Sequence, residues 1–177
     1  MTLQEFELDP DLTTKLVLTT FTNVTNINEI RQKILNGSLK CGILKANLIF
    51  DSMQIIVAAN KTLVSEKYGH MTTKNIYTEL LFNLNLSKNI TQSLIRFGID
   101  DKDTNIIVVI FCSGKNDEIV SEILNQIQGE QITSFPNKFA DESNIKKIYK
   151  IPDNENKVSS LIDSIVSRIA TKDFVSC

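Results

Sequence analysis

The chain has 177 residues, 42% of them hydrophobic and 23% charged, with a formal net charge of −2. That size suits one domain able to bury about 70% of its unfolded surface, so it needs no disulfide or metal staple. The near-neutral balance excludes a globally basic nucleic-acid binder or a membrane-surface protein, and the longest apolar run, residues 106–112, is too short for a transmembrane helix.

Glu5, Glu7 and Asp9 are unlike a secretory signal, so composition points to a soluble intracellular domain. Cys41, Cys112 and Cys177 are far apart and form neither a disulfide framework nor a CxxC zinc pattern. Residues 15–21 (KLVLTTF) are rich in β-branched side chains and predict a strand. Asn26 opens a helix with Ile27, Ile30 and Ile34 on one face and Gly37 as its stop. Residues 46–50 read as a short strand or a turn. The pattern is then helical from 52 to 98. A first helix capped by Ser52 turns Met53, Ile56, Val57, Asn60, Leu63 and Val64 to one face and ends at Gly69. A second, capped by Thr73, carries Tyr77, Leu80, Leu81 and Leu84. A third starts at Ser87 or Asn89, carries Ile90, Leu94 and Phe97, and closes at Gly98.

Asp100, Asp101 and Asp103 read as a solvated turn. The period changes at residues 105–111, which are continuously apolar and β-branched, as in a buried central strand. A helix over 116–128 with Ile119, Ile123 and Ile127 inward follows, then a possible strand at 130–134. Ser143 could cap a short helix. The last helix spans 156–170 with Val158, Leu161, Ile162, Ile165, Val166 and Ile169 as its stripe. This order predicts an α/β (α+β) domain over residues 1–177: a small mixed β-sheet backed by helices, with a helical subdomain inserted at 52–98.

Catalytic signatures are missing. No HExxH, GxSxG, GxGxxG or Walker A pattern occurs, and Gly114-Lys115 lacks the preceding glycine of a phosphate loop. His70 is the single histidine, in an apparent loop; a Cys41–His70 pair has no flanking signature. The acidic pairs Asp117-Glu118 and Asp141-Glu142 lie near helix starts, where they complement the dipole. A binding or scaffold protein without cofactor or metal is the expectation.

Charge is unevenly spread. Residues 52–98 carry Lys61, Lys67, Lys74, Lys88 and Arg96 against Glu66 and Glu79, whereas the rest of the chain is acidic. The same stretch carries Asn60, Asn75, Asn83 and Asn89 with Tyr77, Phe82 and Phe97. Cations neutralise phosphates, amides read base edges and aromatics stack on unpaired bases. A solvated helical face over a buried aromatic core has the same composition, and the residues leave both readings open. At the other end, the aliphatic stripe runs on into Phe174 and Val175, as core, a docked tail or a partner-binding face.

Residues 49–61 (IFDSMQIIVAANK) resemble the D-x-x-Q-I-L-V-A-A-N-K-A segment of the PRPK-binding small-subunit family of the EKC/KEOPS complex. Further segments resemble the same family in the same order: residues 71–74, 78–84, Asn89-Ile90 with 96–99, 145–150 and 167–173. Two departures stand out: Thr72 replaces a usual Lys, and residues 84–87 (LNLS) replace a Leu-Ser-Pro turn.

The resemblance implies a non-catalytic subunit for N6-threonylcarbamoyladenosine modification at position 37 of tRNAs reading ANN codons. It implies binding to the small lobe of a PRPK-type atypical kinase/ATPase, support of its activity, other KEOPS subunits and tRNA as partners, no membrane, and residence in cytoplasm and nucleus. Relatives in this family hold the 3′ CCA end of tRNA. Mapped onto the matching segments, the implied tRNA contacts are Lys61, Lys74, Asn75, Asn83, Asn89, Ile90, Arg96 and Phe97, with Lys74 and Arg96 on phosphates. Glu79 fits a helix cap or hydrogen-bond acceptor better. The implied kinase contacts are Ile165, Arg168, Ile169, Thr171, Lys172 and Asp173. A protein-only kinase regulator and a stand-alone enzyme using Cys41 or His70 are the alternatives.

Overall fold

The computed structural model describes residues 3–114, 117–133, 135 and 138–175. Its strands are β1 (Gln4–Glu7), β2 (Thr14–Thr22), β3 (Gly42–Lys45), β4 (Ile106–Ser113) and β5 (Glu130–Ile132). Its helices are α1 (Ile27–Leu35), α2 (Ser52–Lys67), α3 (Ile76–Leu84), α4 (Ile90–Phe97), α5 (Asp117–Leu124), α6 (Glu142–Ile148) and α7 (Leu161–Thr171). The sheet runs β1-β2-β4-β3, and β5 pairs with the end of β2 that β1 leaves open. The sequence predicts a mixed sheet, and here the structure differs: every described pairing is antiparallel. Lys15 faces Cys112 and Phe21 faces Ile106 along the long β2–β4 ladder.

Strand alternation sorts the core into two layers. Leu16, Leu18, Leu44, Ile107 and Val109 face α2, α3, α7 and Tyr149. Val17, Phe21, Ile43, Ile106, Val108 and Ile110 face α1 and α5. Because β4 is covered on both faces, its sequence is a continuous apolar run and not an alternating one. Among the described residues no helix is long and apolar enough to cross a membrane.

Several local expectations shift. The early strand is Gly42–Lys45, and Ala46–Leu48 is one 3-10 turn. Helix α2 buries Gln54, Ile55, Ala58, Ala59, Thr62 and Leu63, while Met53 and Val64 are exposed. Two alanines let its neighbours approach closely, and hydrogen bonds satisfy the two polar side chains, so the largest apolar residues do not mark the inner face. Asp51, not Ser52, caps α2; Asn75, not Thr73, caps α3; and Asp141, not Ser143, caps α6. Helix α5 turns Val120 inward and leaves Ile119 exposed. Helix α7 begins after its cap Ser160, so Val158 lies outside it, 87% exposed. Asn116 and Ser134, expected element ends, lie outside the described residues, as do Lys115 and Cys177.

The acidic turn is more than a solvated bend. Asp101 pairs with Arg31 of α1, and Asp100 pairs with Lys45 of β3 at 2.6 Å. The Lys45 ammonium holds Asp100 below the usual carboxylate range, whereas burial raises Asp103 above it.

Candidate RNA-facing and partner-facing surfaces

Helix α3 is the hinge of the polar architecture. The last carbonyls of any helix lack intrahelical partners, and here two are taken by side chains from far along the chain. The Tyr149 hydroxyl donates to the Leu84 carbonyl at 2.6 Å, and the Lys172 ammonium donates to the Phe82 carbonyl. Tyr149 also accepts from Gln54 Nε2 at 2.9 Å, joining α2, α3 and α6 through one buried hydroxyl. Burial raises the Tyr149 phenol well above its ordinary value, so it stays a neutral donor.

Three of the expected tRNA contacts are spent as structure. Asn83 is buried, its amide nitrogen donating to Thr62 Oγ1 at 3.0 Å. Phe97 is fully buried, with its ring centroid 6.4 Å from that of Tyr149. Lys61 donates to the Ile169 carbonyl at 2.9 Å and pairs with Asp173 at 3.0 Å. Asn75 and Asn89 cap α3 and α4, accepting from Tyr77, Thr78 and Gln92 backbone N–H groups. Ile90 is half-buried at the start of α4. Lys74 is exposed, on a loop tied down by buried Glu79, which accepts from the Thr72 and Thr73 N–H groups at 3.1 and 2.7 Å. Glu79 therefore holds the loop as an acceptor, which suits its carboxylate far better than facing phosphate.

Arg96 donates to Asn85 Oδ1 at 3.0 Å and lines an open cleft of about 460 Å³ with Lys45, Asn47, Asn144, Lys147 and Lys150. Segment charge sums miss this gathering, because Lys147 and Lys150 belong to the acidic last third of the sequence. The segment 145–150 is the only trace of it in the sequence, and only the fold sets it beside Arg96.

The expected kinase contacts divide in the same way. Ile165 and Ile169 are fully buried against the α2 layer, and Lys172 is buried 3.4 Å above the Phe82 ring centroid in a cation–π contact. These three hold the surface from beneath. Arg168 forms a two-pronged ion pair with Glu155, both bonds 2.7 Å, and holds that carboxyl at about 2. Thr171 and Asp173 are exposed, followed by Phe174, 88% exposed, and Val175.

The geometry gives the enzyme alternative little. Burial pushes the Cys41 thiol up to about 12, which leaves no thiolate for nucleophilic attack near neutral pH, and His70 lies exposed after the end of α2. Among the described residues no His, Cys, Asp and Glu side chains are grouped to hold a metal.

A family model described as kinase binding protein CGI-121 matches residues 21–173. The chain belongs to the CGI-121 family. Among its CGI-121 relatives, the EKC/KEOPS complex subunit TPRKB of Danio rerio is 34% identical over 171 residues, covering 96% of this chain and 97% of its own. The EKC/KEOPS complex subunit CGI121 of Yarrowia lipolytica is 32% identical over 145 residues, covering 81% and 83%. That of Candida glabrata is 28% identical over 162 residues, covering 86% and 91%. The resemblance read from residues 49–173 is borne out at the level of the family.

Proposed function

We propose that this protein is a non-catalytic KEOPS subunit that docks on a PRPK-type atypical kinase, supports its activity and helps hold the 3′ CCA end of tRNA. The modification served is N6-threonylcarbamoyladenosine at position 37 of tRNAs reading ANN codons, in cytoplasm and nucleus. The observation that carries this reading is full-length similarity to proteins named as EKC/KEOPS subunits, within a family described as kinase binding.

The geometry supports a division of labour. Exposed Thr171, Asp173, Phe174 and Val175 sit on a C-terminal turn that Lys61 and Lys172 fasten to the helical layer, a firm apolar tip with a polar rim. Lys74 and Arg96 are the cations of the RNA-facing set that reach the surface; Asn89 caps the helix that carries Arg96, and Asn75 caps α3 directly after the loop that carries Lys74. A mobile single-stranded end suits such phosphate contacts better than groove readout.

The decisive experiment is size-exclusion co-elution with a PRPK-type kinase at micromolar concentration, followed by tRNA binding with and without the kinase. A one-to-one complex that prefers intact tRNA over CCA-trimmed tRNA is expected. Absence of a complex refutes the docking role; equal affinity for the two tRNAs refutes the end-holding role and leaves a protein-only regulator.

A further inference from the structure

The turn that leads from α1 to β3 holds the sequence's only Asn-Gly pair, Asn36-Gly37. Both residues and the following Ser38 are exposed. Asn36 closes α1 with φ −85° and ψ −2°, and Gly37 takes φ +77°, a conformation that side chains disfavour. A Cβ built on Gly37 would meet nothing within 4 Å, so the backbone there is open to solvent on the flank a side chain would occupy. The Asn36 carboxamide is already folded over the chain ahead of it: its Oδ1 accepts from the Ser38 N–H at 2.9 Å. That bond draws electron density from Cγ and carries it back along the stretch of chain that contains the Gly37 nitrogen. A backbone nitrogen that reaches an asparagine Cγ can close a five-membered imide ring, and glycine hinders the closure least.

Two hydrogen bonds oppose it. The Gly37 N–H donates to the Ile34 carbonyl at 3.1 Å, and the Leu39 N–H donates to the Lys33 carbonyl at 3.0 Å. Both belong to the last turn of a helix, where opening is easiest. Leu35 in that turn is already 82% exposed, so opening it uncovers little apolar surface. Leu39 is buried and pins the chain further on, which leaves Gly37 and Ser38 to absorb the rotation. Releasing one or two ordinary hydrogen bonds lowers the reactive population by roughly 5- to 30-fold, a delay and not a block.

We infer that Asn36-Gly37 is a site of spontaneous deamidation in the folded protein, with water as the only co-reactant. The Gly37 nitrogen gives up its proton to solvent and bonds to Asn36 Cγ. The Cγ–Nδ2 bond breaks, and Nδ2 leaves as ammonia after taking a proton from solvent. Water then opens the imide. Cleavage of the new Cγ–N bond gives aspartate, and cleavage of the original backbone C–N bond gives isoaspartate, in which the main chain runs through Cγ. One water is consumed, one ammonia is released, and no atom is oxidised or reduced. The new carboxylate stands at the negative end of the α1 dipole. Isoaspartate also adds a backbone atom to the turn that feeds β3. Age therefore writes a charge and a longer turn into the α1–β3 corner, on the sheet face opposite α2, α3 and α7.

The full chain is incubated in mildly alkaline buffer, folded and unfolded in concentrated guanidinium chloride. Digests are followed by mass spectrometry with fragmentation that separates aspartate from isoaspartate. Residue 36 of the folded chain should exchange NH for O roughly 5- to 30-fold more slowly than in the unfolded chain, with isoaspartate in excess. Asn36→Ser should abolish the change in that peptide. A folded chain that stays unmodified at residue 36 while the unfolded chain reacts overturns the inference. A product of aspartate alone also overturns it, because direct hydrolysis makes no isoaspartate. Equal modification at other exposed asparagines such as Asn28 and Asn125 overturns the claim that this turn is the site.

Discussion

Tyr149→Phe is the sharpest probe of how the helical layer is held together. The substitution keeps the ring, fully buried and tilted against Phe97, and removes one oxygen. That oxygen donates to the Leu84 carbonyl and accepts from Gln54 Nε2, so two buried hydrogen bonds vanish at once. Gln54 Nε2 keeps its bond to the Leu48 carbonyl at 3.0 Å, so its loss is one ordinary bond of about 1 kcal/mol. The Leu84 carbonyl loses its hydroxyl partner inside the core, which costs about 2 kcal/mol by the usual penalty for an unsatisfied buried group. The expected destabilisation is therefore about 3 kcal/mol, or roughly 6–12 °C in Tm for a domain of this size. Urea unfolding followed by circular dichroism measures it. Combined with Gln54→Met, it should show a coupling of about 1 kcal/mol, because the two side chains share a bond. A variant within about 0.5 kcal/mol of wild type refutes the claim that this hydroxyl ties α2, α3 and α6 together.

Glu79→Gln should release the loop that carries Lys74, because an amide presents a donor to one of the two N–H groups the carboxylate accepts; loss of one charge-assisted bond, about 2 kcal/mol, predicts hydrogen exchange at Thr72 and Thr73 faster by more than tenfold, and unchanged exchange rejects the clamp. The Arg168–Glu155 pair predicts an acid dependence with a definite sign. Glu155 is depressed from 4.5 to about 2, so its contribution is complete above 4.5 and fades as pH falls toward 2. The stability gap between wild type and Glu155→Gln should be flat at about pH 5 to 7 and close in acid, and a gap that persists unchanged down to pH 2 refutes the pairing.

Strong one-dimensional signals survived folding. The apolar run that became β4, the β-branched run that became β2 and the Asn26–Gly37 frame of α1 are read directly from local chemistry. The signals failed where tertiary partners decide. The inner face of α2 is set by two alanines and by Gln54 and Thr62, whose burial depends on acceptors and donors brought from elsewhere. β1 and β3 have four residues each, too few for a period to register. For the candidate surfaces, resemblance singled out segments but could not separate exposed Lys74 and Thr171 from buried Phe97 and Ile169. Membership of a matching segment says nothing of which way a side chain points. Nor can a sum over consecutive residues detect that Lys147 and Lys150 stand with Arg96.

The fastening of α3 by Tyr149 and Lys172 sets an order of events during synthesis. The helix is translated midway, yet the groups that quench its terminal carbonyls leave the ribosome some 65 and 90 residues later. Residues 52–98 thus reach their final arrangement only after residue 172 has emerged, and until then the end of α3 keeps carbonyls that the finished fold satisfies.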